Sequence, residues 1–192
     1  MPGLSRNAQV LRYLLDVAPG VGHTLLAKFA YLADLAAREY VGSPISEMRY
    51  RYDNHGPFDA VAFYSARDEL LEGGFITEED ADIGGYAGFE LRPTDRVVTF
   101  EFADWEAEIL SFVGRKFASW TARELCDRKV YASLPMKNAV PGRLLDMDQV
   151  NREPEELEFN LERLLAGKRS ADEQRARPLA DVLHELRARH IG

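Results

Sequence analysis

The chain has little of what most chemistry-bearing folds require. Among its 192 residues there is one cysteine, Cys126, so no internal disulfide can form and no tetrahedral zinc set can be assembled from local cysteines. Cys126 is expected to be an ordinary helix residue. No apolar run approaches the roughly 20 residues of a membrane helix, and the N-terminus MPGLSRNAQV lacks the basic-then-apolar layout of a secretory signal, so a cytoplasmic protein with no membrane partner is expected. Positive charge is also short: a net charge of −8 works against non-specific binding to a polyanion and makes a basic partner the more natural complement. Neither an internal repeat nor a low-complexity segment is present.

Catalytic patterns are missing too. The histidines His23, His55, His184 and His190 show no H-x-x-x-H or H-E-x-x-H spacing. Asp53 and His55 could offer two metal ligands, but alternate residues of an extended strand point to opposite faces. No phosphate-cradling G-x-x-x-x-G-K-[ST] or G-x-G-x-x-G follows a strand, and no G-x-S-x-G elbow occurs. These readings lead to a non-enzyme that needs no cofactor and no metal.

What is present is a 46% hydrophobic content, enough for a substantial core. Helical spacing of Val10, Leu11, Leu14 and Leu15 predicts a first helix from Leu4 to Val17, stopped by Pro19-Gly20. Leu25, Leu26, Phe29, Leu32, Ala33 and Ala36 predict a second, most buried helix from His23 to Tyr40. Met48 to Tyr52 alternates like a half-exposed aromatic strand, and the chain turns at Asn54-His55-Gly56. Pro57 and Asp59 open a predicted third helix, 57–72, closed by Gly73-Gly74, with Phe58, Val61 and Leu70 expected in the core.

Phe75 to Thr77 and Gly88 to Arg92 predict a hairpin with a long acidic tip around Gly84-Gly85. Trp105, Ile109, Phe112, Val113 and Lys116 mark a fourth helix, and Thr121 with Glu124 a capping box for a fifth. Residues 131–147 show no period and are expected to be irregular chain over the body or against a partner. Pro154 to Gly167 predicts a further helix and Ser170 with Glu173 caps a terminal one. Between Asp146 and Glu162 lie seven acids and one arginine, whereas Lys168 to the end carries six Lys or Arg against four acids. The expected fold class is α+β, mainly α-helical: a compact helical core with a short strand and a β-hairpin in winged-helix-like order, plus a charged C-terminal helical extension. The expected boundary divides 1–145 from 146–192.

Within this order, Lys28, Tyr31, Leu32, Ala33 and Asp34 form K-x-x-Y-L-A-D, followed by Gly42, Pro44 and Ile45 as G-x-P-I. Tyr52, His55, Gly56, Pro57 and Phe58 then form Y-x-x-H-G-P-F, and Leu70, Leu71, Gly74 and Ile76 end the next helix. In order and spacing over residues 23–76 the chain resembles the Panacea domain, the SocA-like antitoxin family, and Ser119, Ala122, Glu124 and Leu125 extend the likeness to about residue 130. It departs where family members often place a Thr-His and a Pro-Trp pair and this chain reads Cys126-Asp127-Arg128-Lys129-Val130.

The resemblance implies an antitoxin of a bacterial or phage toxin-antitoxin system that binds and neutralises a cognate protein toxin. Some relatives deliver the toxin to an ATP-dependent protease as proteolytic adaptors. The expected partner-binding residues are Tyr31, Asp34, Tyr50, Tyr52, His55, Gly56, Pro57 and Phe58, with the exposed face of the second helix and the loop 130–145 beside them. Asp34 is expected to accept a hydrogen bond from Tyr52 or from the 54–56 backbone. The alternative is a winged-helix-like DNA-binding autoregulator using Arg49 and Arg51; a third reading is metal-dependent hydrolysis at Asp53 and His55.

Overall fold

The computed structural model describes residues 3–83 and 87–150. The predicted helices at Pro154 to Gly167 and after Ser170, and the tip glycines Gly84-Gly85, lie outside the described residues. The chain is α+β and mainly helical, with its elements in the winged-helix-like order read from the sequence.

Helix α1, Arg6–Val17, opens on Ser5, whose hydroxyl accepts from the Ala8 N–H at 3.3 Å. A two-residue strand β1, Val21–Gly22, leads into α2, His23–Val41, the longest and most buried helix. From Leu25 to Ala37 every residue of α2 is buried, because α1, α4 and the later turns surround it on all sides. Gly42 ends it in the left-handed region at φ 81°, its N–H bonded to the Arg38 carbonyl, a conformation that costs a glycine least.

Beyond the break, Met48, Tyr50 and Tyr52 turn inward while Arg49 and Arg51 stay exposed, so the predicted alternation holds. Only Arg51–Asp53 is laddered as β2, paired antiparallel with β3, Gly56–Phe58. The predicted start of the third helix is corrected here. Pro57 faces Tyr52 in the ribbon, and α3 runs from Ala60 to Glu72 with Asp59 as its cap, accepting from Ala62 N–H at 3.1 Å. Phe63, Ala66 and Leu70 go inward, and Val61, expected in the core, is 83% exposed, because helical spacing puts it on the opposite face from Leu70.

The hairpin is also longer than its sequence pattern suggests. Strands β4, Ile76–Asp82, and β5, Ala87–Pro93, pair from Ile76 opposite Pro93 to Asp82 opposite Ala87, so the acidic run expected in a mobile tip is strand. Acids along an outer strand tolerate the ladder because it satisfies their backbone while their side chains stay in water. β1 flanks β5 on the other side, giving the order β1-β5-β4.

Helix α4, Asp104–Phe117, crosses α1 and α2, and Gly114 lies so close to α1 that an added Cβ would come 2.8 Å from Val17 Cγ1. The capping box at Thr121 and Glu124 forms as read and opens α5, Ala122–Leu125. α5 continues into a π-helical turn, Cys126–Val130. A single turn of helix, α6, Leu134–Lys137, interrupts the segment read as irregular.

The interior holds few ionisable groups, and Asp34 is the most confined. Its carboxylate accepts from the backbone N–H of Ile45 and of Ser46, both at 2.8 Å, from the Ser46 hydroxyl, and from the Tyr50 hydroxyl at 2.7 Å. The donor expected from Tyr52 or the 54–56 turn is therefore Tyr50 instead, because Tyr50 is the inward residue of the alternating stretch. Burial raises the carboxyl's pKa, and the four donors oppose that rise without cancelling it. Removing the acceptor with Asp34→Ala would strand buried donors at the 42–50 bend. The expected cost is about 3–5 kcal/mol in urea-unfolding free energy, against less than about 1 kcal/mol for Asp146→Ala at an exposed position.

Candidate partner-binding site

The turn at 53–58 is assembled from beneath. Lys28, on α2 and 2% exposed, sends its Nζ to the Pro57 carbonyl at 2.8 Å. Gly56 permits this approach in two ways. Its φ of +89° suits glycine, and a Cβ there would meet Lys28 Cε at 3.4 Å and Val130 Cγ1 at 3.5 Å. On the other side the Cys126 thiol donates to the His55 carbonyl at 3.6 Å, so the π-helical turn clamps the ribbon's tip. Cys126 is thus a buried thiol in that turn, and burial pushes its pKa up.

A second column of contacts stands behind the strand. Ser133 Oγ donates to the Val130 carbonyl at 2.6 Å, which leaves the Tyr31 hydroxyl to donate to Ser133 Oγ at 2.7 Å. The Tyr31 ring meets the Tyr50 ring edge-on at 5.2 Å, and Tyr50 reaches Asp34. Burial raises the pKa of both phenols, and the Asp34 charge adds to the shift at Tyr50. The network runs from Asp34 through Tyr50, Tyr31 and Ser133 to the π-helical turn.

The segment 142–145 lies along the outer edge of the aromatic stretch. The Tyr52 N–H donates to the Arg143 carbonyl at 3.0 Å, Gly142 N–H to the Tyr52 carbonyl at 2.9 Å, and Leu145 N–H to the Tyr50 carbonyl at 2.9 Å. The expectation that the stretch after Val130 packs over the body holds. Arg38 pairs with Asp148, which also fixes the start of the predicted extension against α2.

These contacts divide the expected binding residues. Tyr31, Asp34 and Tyr50 are interior at 0%, 1% and 3% exposure, so none of them offers a surface to a partner as it stands, and their contribution is to hold the turn. The exposed face expected of α2 is likewise absent from Leu25 to Ala37. Gly56 and Pro57 are buried at the base, Tyr52 and Phe58 are half-buried, and His55 is exposed at the tip with Asp53 and Asn54. Leu134, Val140 and Leu144 remain exposed in the flanking segment, with Leu144 bridged to Arg51.

No group of three or more His, Cys, Asp or Glu side chains is placed to hold a metal ion among the described residues. Nor is any helix among them long and apolar enough to cross a membrane. The sequence reading missed Cys126 as a contact of the turn and the 142–145 edge. The first had no signal beyond its position, and the second arises from backbone pairing that side-chain pattern does not encode.

Comparison of the chain with family models, with curated proteins and with solved structures finds no match in any of the three.

The Lys28 ammonium carries a measurable consequence. Loss of hydration lowers its pKa from 10.5 to about 8, with the Cys126 sulfur and the Asp53 carboxylate opposing the shift. Between those values the unfolded chain keeps the proton and the folded chain has released it, so stability from this group rises with pH. The burial of Cys126 gives the opposite slope, because its thiol ionises more readily in the unfolded chain. Comparing wild type with Lys28→Met removes the lysine together with its coupling to the Cys126 thiol. Wild type is expected to gain about 2 kcal/mol relative to Lys28→Met between pH 7 and 9.5, read from urea midpoints.

Proposed function

We propose that the chain is a protein-binding module of the antitoxin class its sequence resembles, neutralising a cognate protein toxin by direct binding. The observation that carries the reading is that the residues of the resemblance motifs act as one unit. Lys28, Tyr31 and Asp34 on α2 are the buried supports, and Gly56 and Pro57 form the base of the turn they support. The unit offers His55 at its tip, with the exposed side chain of Leu144 along the ribbon's edge, bridged to Arg51. A supported polar tip with an apolar side chain along the same ribbon suits recognition of a folded protein, where a few side chains carry most of the affinity. Delivery of the bound toxin to an ATP-dependent protease is a further route within the same reading, as is residence in the cytoplasm.

The DNA-binding alternative draws on the exposed Arg49 and Arg51. Against it, the outward face of α3 carries Val61, Tyr64 and Asp68, and β4 carries Glu79, Asp80 and Asp82. A polyanion would meet acids on the helix and hairpin that a winged-helix reader turns toward the groove.

Co-expression with the toxin encoded beside it tests the proposal. Wild type is expected to restore growth, and His55→Ala, at an exposed position, to weaken toxin binding about tenfold or more with an unchanged urea midpoint. Absence of rescue by wild type would sink the antitoxin reading, and salt-dependent DNA binding lost on removal of Arg49 and Arg51 would replace it.

A further inference from the structure

A second surface lies on the opposite side of the β2-β3 ribbon from the 142–145 segment. Its aromatic rings touch in series: Phe58 meets Tyr64 at 5.8 Å, Tyr64 meets His23 at 6.0 Å, and His23 stacks on Phe89 at 5.6 Å with 21° between planes. Val61 lies one turn before Tyr64 on the same outward face of α3. The exposures are 83% for Val61, 40% for Tyr64 and 45% for Phe89, whereas core side chains of the same elements are nearly dry. A soluble domain seldom leaves joined apolar side chains in water without a use for them.

The strand register surrounds this strip with acid. Asp80 is directly opposite Phe89, which places both on one face of the sheet, and Glu78 and Asp82 lie two residues away on the same face. Glu78 is hydrogen-bonded to His23 at 2.7 Å and paired with Arg67. Asp80 has no basic partner among the described residues.

We infer that this face, from Val61 and Tyr64 to Phe89 and Asp80, docks a polypeptide segment in which lysine or arginine alternates with aliphatic or aromatic side chains. The apolar residues of the partner cover the ring series, and a cation beside them meets Asp80. Charge selects this occupant over the others. Nucleic acid or an anionic lipid surface would be repelled by the Asp80 carboxylate, and a second copy of the chain would present the same acid-bearing face rather than a run of cations.

The inference rests on the reading of the chain as a protein-binding module, but on a different surface from the His55 tip. The two therefore fail separately: loss of growth rescue with peptide binding intact removes the antitoxin reading alone.

The test uses the full chain and fluorescently labelled twelve-residue peptides. These share the same leucines and carry lysine, serine or glutamate at every other position; fluorescence anisotropy gives Kd. The lysine peptide is expected to bind at least about tenfold more tightly than the glutamate peptide. That preference should fall in Asp80→Lys and in Val61→Glu, two exposed positions, and persist in Val97→Glu, at a site 87% exposed on a different segment. Equal binding of lysine and glutamate peptides, or indifference to both variants with folding verified by circular dichroism, would overturn the inference. A concentration-dependent dimer in sedimentation that Val61→Glu abolishes would also overturn it, in favour of self-pairing.

Discussion

A carboxylate taken out of water costs several kcal/mol unless donors in the protein replace its hydration. Asp34 has four such donors, and they come from two places that the chain would otherwise be free to separate: the bend after α2, through Ile45 and Ser46, and the aromatic stretch, through Tyr50. Because every donor is needed, the end of α2 and the start of the strand cannot move independently. Everything downstream inherits this constraint. Tyr50 is oriented by Asp34, Tyr31 packs on Tyr50, and Ser133 passes the contact to the π-helical turn that holds the His55 carbonyl.

Lys28 applies the same logic with the opposite charge. Six residues before Asp34 on α2, it faces the other side of the ribbon and spends its proton on the Pro57 carbonyl. A helix buried this completely carries no surface of its own, so its polar residues can only act by positioning what lies above them. The surface the protein shows is thus made largely by the ribbon, the turns, the hairpin and the outward face of α3, mounted on a helix buried from Leu25 to Ala37.

Much of the fold was legible in the sequence for physical reasons that can be named. The first two helices were marked by wide apolar stripes and clear stops, and Thr121 with Glu124 announced its helix by a reciprocal cap. The misreadings have equally specific causes. Pro57 suits a first helical turn and an extended ribbon alike, since its φ fits both, and only the pairing with Tyr52 decides. That single ambiguity moved the start of α3, whereas Val61 was misplaced by spacing alone, since it and Leu70 lie on opposite faces of one helix. The acidic residues 78–82 looked like loop because acids are poor strand formers, yet their partners on β5 supply the ladder. Of the site, the motif residues were found but their depth was not: a tyrosine or aspartate on an apolar helix reads alike whether it faces a partner or closes an internal network.

The long-range closure of the turn bears on the order in which the protein can become competent. Tyr31 and Ser133 are separated by 102 positions, and the backbone of Tyr52 is completed only by Gly142 and Arg143. On a ribosome adding about 5–20 residues per second, the helix and strand wait on the order of 5–20 s for the segment that locks them. During that interval the ribbon has an open edge and the phenols of Tyr31 and Tyr50 lack their final cover. The nascent chain therefore passes through a stage in which its helical scaffold is largely made while the ribbon still lacks the segment that braces it.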